Sequence, residues 1–235
     1  MSGKGRGSLD VQCCVIPAAG ASSRMGEWKL LLPWTASTIV ETVVASAIGA
    51  GLEALVVAGY RGDELHALLD GRPGVRVLDN PEWPEGMLGS IQCALGAVRG
   101  EAFFVTPADM PGIGPSIYRS ILEAADGEAL ASTVSKLPSH FSAFEGRAGH
   151  PVLIPCDRIE LMRTLDRGGK LRAFLMEGLW RLVETGDPAV LADVDTPEEY
   201  DASRQSLPTR VRQSLPTLVE EPEARLRTGQ DGKIG

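Results

Sequence analysis

The chain has 235 residues, 43% hydrophobic and 23% charged, a balance that suits a globular domain with a buried core and excludes a wholly disordered chain. Its net charge of -8 excludes a broad nucleic-acid footprint, which needs a basic face, but leaves room for a small phosphate ligand held by a few local cations. No run of about 18 apolar residues reads as a membrane span, and the Gly/Ser-rich stretch Met1 to Asp10 reads as a flexible N-terminus, not a secretory signal, so the expected location is the cytoplasm.

Val11–Pro17 is an apolar run that enters a Gly/Ala/Ser loop, which predicts a buried strand and a turn. Cys13 and Cys14 then face opposite sides of that strand. Together with Cys93 and Cys156 they lack metal-ligand spacing and read as reduced thiols. Helical spacing predicts helices over Thr38–Ala50 (stopped by Gly51), Gly62–Leu69, Leu88–Val98 and Pro115–Ala125, and short apolar runs predict strands over Ala54–Ala58, Val75–Leu78, Ala102–Thr106 and Leu130–Val134. Alternating strands and helices imply an α/β fold with a doubly wound, mainly parallel sheet covered on both faces, whose ligands bind beyond the carboxyl ends of the strands. Further along, strands are expected over Val152–Ile154, Trp180–Glu184 and Ala189–Val194, and helices over Asp157–Leu165, Gly169–Glu177 and Pro197–Ser203. One domain over residues 11–203 follows. The tail, 204–235, is polar and nearly repeats Arg204–Thr209 as Arg212–Thr217; it reads as disordered, with a short partner-binding motif as the other reading.

The loop after the first strand is the most informative stretch: Ala18-Ala19-Gly20-Ala21-Ser22-Ser23-Arg24-Met25-Gly26, then Lys29. Glycines and small residues let the backbone approach a ligand and turn through positive φ. Successive N–H groups form an anion-binding concavity, and Arg24 and Lys29 add two cations. The loop lacks the Gly-Lys-Ser/Thr ending of a P-loop, and its glycines are spaced too widely for a dinucleotide fingerprint. A tight turn with two solvated cations is the alternative on residue chemistry alone.

With Lys29-Leu30-Leu31-Leu32-Pro33 behind it, this loop resembles the signature of the nucleotidyltransferases related to molybdenum cofactor cytidylyltransferase, and the resemblance runs with gaps over Val11 to Ser203. It implies a Rossmann-like nucleotidyltransferase fold with a small acceptor-binding subregion from about Ser135 to Glu184. It implies Mg²⁺ as cofactor and an NTP, CTP in the first instance, whose NMP part passes to a phosphorylated acceptor such as molybdopterin, with a molybdenum enzyme as client. A guanylyl or sugar-phosphate transferase, or a non-catalytic accessory protein, are the rival readings.

Asp109 follows the strand Ala102–Thr106 between Pro107 and Pro111, which stiffen the turn. It reads either as a Mg²⁺ ligand facing the phosphate loop or as a cap for the helix near Pro115. The resemblance implies a metal ligand here, and a second acidic element at Asp193-Val194-Asp195-Thr196-Pro197. Asp193 is the favoured metal ligand of that pair; Asp195 or Thr196 is the candidate N-cap. Glu85-Gly86-Met87-Leu88-Gly89-Ser90-Ile91 resembles an element at the start of a helix beside the nucleotide's base and ribose, with Gly89 and Ser90 as its candidate contacts and Ser90 offering a hydroxyl; a cap alone is the plainer reading. Ala148-Gly149-His150-Pro151 resembles an acceptor-side element, which implies His150 as an acceptor or phosphate contact. Asp166-Arg167-Gly168-Gly169-Lys170-Leu171-Arg172 matches the following acceptor loop only loosely, with Lys170 and Arg172 as its candidate contacts. Trp34-Thr35-Ala36-Ser37 stands where relatives carry a glycine turn.

Overall fold

A computed structural model describes residues 8–131 and 136–204. Both segments belong to one layered α/β unit, built in the order β1 (Val11–Pro17), β2 (Pro33–Trp34), β3 (Ser37–Thr38), α1 (Ile39–Gly49), β4 (Glu53–Ala58), α2 (Gly62–Leu69), β5 (Val75–Asp79), α3 (Met87–Ala94), β6 (Ala102–Val105), α4 (Pro115–Ala131), β7 (Ser139–Phe144), β8 (Arg147–Pro155), α5 (Ile159–Arg163), α6 (Leu171–Met176), β9 (Trp180–Glu184) and α7 (Pro197–Arg204).

Seven strands form one sheet in the order β5-β4-β1-β6-β8-β7-β9, and β2 and β3 make a separate two-stranded hairpin. β1 pairs parallel with β4 and β6, β4 with β5, and β7 with β9; only β8 runs against its neighbours β6 and β7. The sheet is therefore mainly parallel, and the strands of the expected acceptor subregion extend it instead of forming a separate body.

Period-two alternation divides the core. Cys14 and Ile16 face the layer of α1, α2, α4 and α7, while Cys13 and Val15 face α3, α5 and α6. Both layers are apolar, as a sheet covered on both sides requires. Thr38 opens α1 with a reciprocal capping box to Glu41, satisfying backbone donors that the first turn leaves free. In the β2–β3 hairpin, Thr35 takes a φ of 53°, the conformation a glycine would adopt with less strain.

Three expectations differ. Ala189–Val194 is not a strand: Pro188–Leu191 forms a 3₁₀ turn, because Pro188 donates no hydrogen bond and the Asp187 carboxylate accepts from Ala189 N–H at 2.9 Å. Leu130 and Ala131 continue helix α4, and the rest of the strand expected over Leu130–Val134 lies outside the described residues. β7 is a strand that polarity hides, since Ser139, His140 and Ser142 are all buried in it. The tail 205–235 and residues 1–7 also lie outside the described residues. Among the described residues, no helix is long and apolar enough to cross a membrane.

Candidate active site

β1 and β6 are neighbours in the sheet, so the loops leaving their carboxyl ends meet. Backbone bonds knit them together: Ala18 N–H donates to Val57 O at 2.9 Å, Thr106 N–H to Val15 O at 3.0 Å and Ala108 N–H to Pro17 O at 3.2 Å. Over this junction lies a cleft of about 330 Å³. Of the expected phosphate loop, Ala18, Ala19, Gly20, Ser22, Ser23, Arg24 and Lys29 line it, as do Ser90, Asp109 and Asp195. Ser22 (φ 53°) and Gly26 (φ 74°) supply the loop's turns, and Trp28 Nε1–H donates to Gly20 O at 3.2 Å to brace it. Met25 is buried in the core, and Ala21 and Gly26 lie outside the lining.

The charges concentrate on Lys29. Its Nζ donates to Asp109 Oδ2 at 2.7 Å and to Asp195 Oδ1 at 2.6 Å, and Arg24 pairs with Asp195 Oδ2 at 2.5 Å. Burial works against the Lys29 ammonium, but the Asp109 and Asp195 carboxylates outweigh it and hold its pKa above the ordinary value. For Asp195, burial raises the pKa, but the Lys29 hydrogen bond and charge, joined by Arg24, leave it below the usual carboxylate range. Asp109 Oδ1 and the hydroxyl of Ser22 are buried without a partner, so both keep hydrogen-bonding or ligating capacity unused.

Asp193 is placed differently from its neighbour. Burial, together with the Asp195 and Asp109 charges, raises its pKa, and among the described residues it makes no ion pair. Residues 192–195 belong to no strand, so strand alternation does not relate the two carboxylates. Neither does Asp195 cap α7. Thr196 does so: its hydroxyl accepts from Glu199 N–H at 3.2 Å, while Glu199 Oε2 accepts from Asp195 and Thr196 N–H, both at 2.9 Å. Val194 N–H donates to Asp109 O at 3.0 Å, which fixes this acidic segment beside the β6 loop.

The far wall of the cleft is Trp83, Pro84, Gly86, Met87 and Ser90. Trp83 stacks edge-on with Tyr60, and Tyr60 with Trp28, with centroid separations of 5.7 and 6.1 Å. Gly59 lets this wall close in, since a Cβ there would sit 2.5 Å from Trp83 Cβ and 2.7 Å from Ala19 Cβ. Gly86, Met87 and Ser90 belong to the element that the sequence resembles, whereas Trp83 and Pro84 carry no signal in the sequence beyond an unremarkable turn. Gly89 stands behind the lining, and its N–H is taken by Arg167 O at 3.2 Å.

The acceptor-side candidates separate. His150 Nδ1–H points at Val105 O at 3.4 Å, at the end of β6. Burial depresses its pKa against that hydrogen bond and the Asp109 charge, while the Arg172 charge depresses it further. The ring is therefore near both Asp109 and Arg172. Arg172 itself is exposed and donates to Ala148 O at 3.2 Å, whereas Lys170 is an exposed residue at the start of α6. None of the three lines the cleft.

Residues 14–185 match the model of the MobA-like NTP transferase domain. The chain is 34% identical over 196 residues to the molybdenum cofactor cytidylyltransferase of Escherichia coli strain K12, covering 82% of this chain and 95% of that protein. It is 30% identical over 125 residues to a molybdenum cofactor guanylyltransferase of Xanthomonas euvesicatoria pv. vesicatoria strain 85-10, over 53% of this chain and 60% of that one. A solved nucleotidyl transferase from Methanothermobacter thermautotroptrophicus superposes with a TM-score of 0.68 at 26% identity, over 85% of this chain and 97% of the other. A phosphate-loop sequence at the carboxyl end of β1, two carboxylates gathered on its lysine, and these likenesses over most of the chain agree that it is a nucleotidyltransferase and belongs to the MobA-like NTP transferase family.

Proposed function

We propose that this chain transfers CMP from CTP to the phosphate of a molybdenum-loaded molybdopterin, with Mg²⁺ as the metal. The observation that carries the reading is the ammonium of Lys29 held between Asp109 and Asp195 at the floor of a small-residue cleft. The relative that shares most of its length with this chain is named a molybdenum cofactor cytidylyltransferase, which supports the choice of base and acceptor.

The donor set fits a hard divalent cation. Asp109 has a buried carboxylate oxygen without a partner, Asp195 is ionised, and Mg²⁺ takes one or two carboxylates with phosphate oxygens and water completing the shell. Asp109 and Asp195 would hold it, and it would supply charge neutralisation at the α-phosphate and the leaving pyrophosphate.

The chain's own residues do the rest. The backbone of Ala18–Gly26 cradles the triphosphate, and the Ser22 hydroxyl has a free hydrogen bond to give. Lys29 and Arg24 place positive charge where negative charge develops in the transition state. An acceptor phosphate oxygen attacks the α-phosphorus in line, a new P–O bond forms, and the bond to the β-phosphate oxygen breaks to release pyrophosphate. The attacking monoester is already ionised, so no strong base is required, and the catalytic work is positioning and charge stabilisation. His150, neutral and donating through Nδ1, presents Nε2 as an acceptor on the acceptor side, with the Arg172 guanidinium nearby for an anion. Lys170 adds a second cation at the start of α6.

The test is pyrophosphate release from CTP, GTP, ATP and UTP with Mg²⁺, with and without molybdenum-loaded molybdopterin. Release from CTP that depends on the cofactor is the expected result. Release with another NTP moves the chain to another branch of the family, and binding without release supports an accessory role.

A further inference from the structure

Arg167 lies outside the cleft, in the loop between α5 and α6, yet its side chain spans the back of the base-side wall. Its guanidinium donates through Nη2 to Asn80 Oδ1 at 3.0 Å, and pairs with Glu82 at 2.9 Å and with Glu85 at 2.5 Å. Gly89 makes room for it: a Cβ at Gly89 would meet Arg167 Nε at 3.0 Å and Arg167 Cβ at 3.3 Å. The same loop accepts the Gly89 N–H, so its position and that of the start of α3 are fixed together.

Asn80 is buried, and the groups around it set which way its amide points. The Arg167 guanidinium and the Glu82 backbone N–H, the latter at 3.2 Å, are both donors without lone pairs, so the side of Asn80 that they face must be its carbonyl oxygen. Its Nδ2 then faces Ser90 Oγ at 3.1 Å and donates to it. Ser90 is 2% exposed and lines the cleft, and one lone pair of its hydroxyl is engaged by Asn80. The remaining proton of Ser90 is directed elsewhere, and among the described residues no acceptor takes it.

We propose that Arg167 is a specificity-determining positioning residue for the nucleotide base. It acts through Asn80 to polarise the Ser90 hydroxyl, so that the cleft presents a hydrogen-bond donor at this point. The base admitted is one that places a lone pair there, a ring nitrogen or a carbonyl of a pyrimidine. A base that places an N–H there must use the one lone pair that Asn80 leaves on Ser90, with the hydroxyl proton turned away and unpaired, and is disfavoured for that reason. The proposal rests on the reading of this cleft as an NTP site.

Two simpler roles would also make Arg167 useful. It offsets the charge of Glu82 and Glu85 near a polyanion, and it props the wall. Both predict that its loss weakens every NTP alike. The relay instead predicts a loss of discrimination, and one that requires Ser90.

The experiment is a double-mutant cycle on the intact chain, with Arg167→Ala, Ser90→Ala and the double variant. Dissociation constants are measured for CTP, UTP, GTP and ATP with Mg²⁺ and no acceptor. The quantity read is the ratio between the preferred NTP and the others, so discrimination is separated from overall affinity. Each single variant is expected to lower that ratio by roughly tenfold, the cost of about one hydrogen bond, and the double variant to lower it no further. Arg167→Lys, which keeps the charge but not the fork, is expected to behave like Arg167→Ala in the ratio. Equal weakening of all four NTPs by Arg167→Ala, or effects on the ratio that multiply in the double variant, overturns the relay while leaving the nucleotide site standing. A wild type that prefers GTP or ATP refutes the CTP reading and overturns the relay as well, because the base the relay admits is a pyrimidine. Absence of NTP binding by the wild type overturns both.

Discussion

Lys29 Nζ lies 2.6 Å from Asp195 Oδ1, so an ammonium on the first loop is tied to a carboxylate 166 residues further along the chain. The same ammonium holds Asp109, and its side chain is only 10% exposed. Three charged groups in a partly desolvated cluster form a site prepared for ionic ligands, because each is worth more there than in bulk water.

Replacing Lys29 by Met keeps the packed stem and deletes the charge. Two carboxylates are then left facing each other, and the developing charge of the transferring phosphate loses its nearest cation. The expected outcome is a fall in kcat of roughly 10²–10³-fold, the range for removal of one preorganised donor. The apparent CTP affinity should change less than kcat, because the interaction strengthens in the transition state. Steady-state kinetics at saturating Mg²⁺ checks this. An effect confined to KM would assign Lys29 to ground-state binding.

Asp195 and Asp193 provide a matched pair. Asp195 faces Lys29 and Arg24 within the cleft, and Asp193 makes no ion pair among the described residues. Asp195→Asn is therefore expected to cut turnover by roughly 10²-fold or more and to raise the Mg²⁺ concentration giving half the maximal rate, while Asp193→Asn stays within a few-fold. Metal titrations of the two variants side by side decide it. The reverse order would make Asp193 the ligand.

The frame of this molecule could be read from local pattern. β1, α2 and β9 have the bounds that apolar period and glycine stops predict, and the loop that follows β1 is visible in its small residues and its two cations. What stayed hidden depends on contacts distant in sequence. Asn80 and Arg167 are 87 residues apart, Asn80 in no motif and Arg167 in a run that resembles an acceptor loop only loosely, so only the fold reveals that they share a hydrogen bond. β7 is hidden because both its faces are buried yet polar in part, Ser139 on one and His140 and Ser142 on the other, which removes the polar and apolar alternation that marks a strand. An acidic residue before Pro197 suits a cap, so the sequence leaves Asp195 between a metal ligand's role and that of a cap. The competing hydroxyl of Thr196 won it, and the carboxylate was freed for the site.

His140 gives a stability test away from the chemistry. It is 1% exposed on β7, with Nε2 3.2 Å from Glu128 Oε2 and Arg181 close by. Burial lowers its pKa, although the Glu128 charge pulls the other way, so the fold favours the neutral ring. In the unfolded chain the ring titrates near 6.5. Above that value neither state binds the proton and nothing is lost. As pH falls from 6.5 toward the lower native value, the unfolded chain takes up a proton that the native ring resists, and stability declines. His66 works in the opposite sense. Hydrogen bonds to Asp70 and then Asp79 raise its pKa, so its contribution is present below 6.5 and fades as pH rises through the raised value. His140→Gln should therefore gain on the wild type in Tm when the pH is lowered from about 7.5 to about 5.5, and His66→Gln should lose ground over the same interval. Thermal melts of the three proteins at the two pH values measure it. A His140→Gln gap that stays constant would mean that burial and Glu128 cancel, and one that moves against the variant at low pH would mean that Glu128 prevails and the fold favours the charged ring.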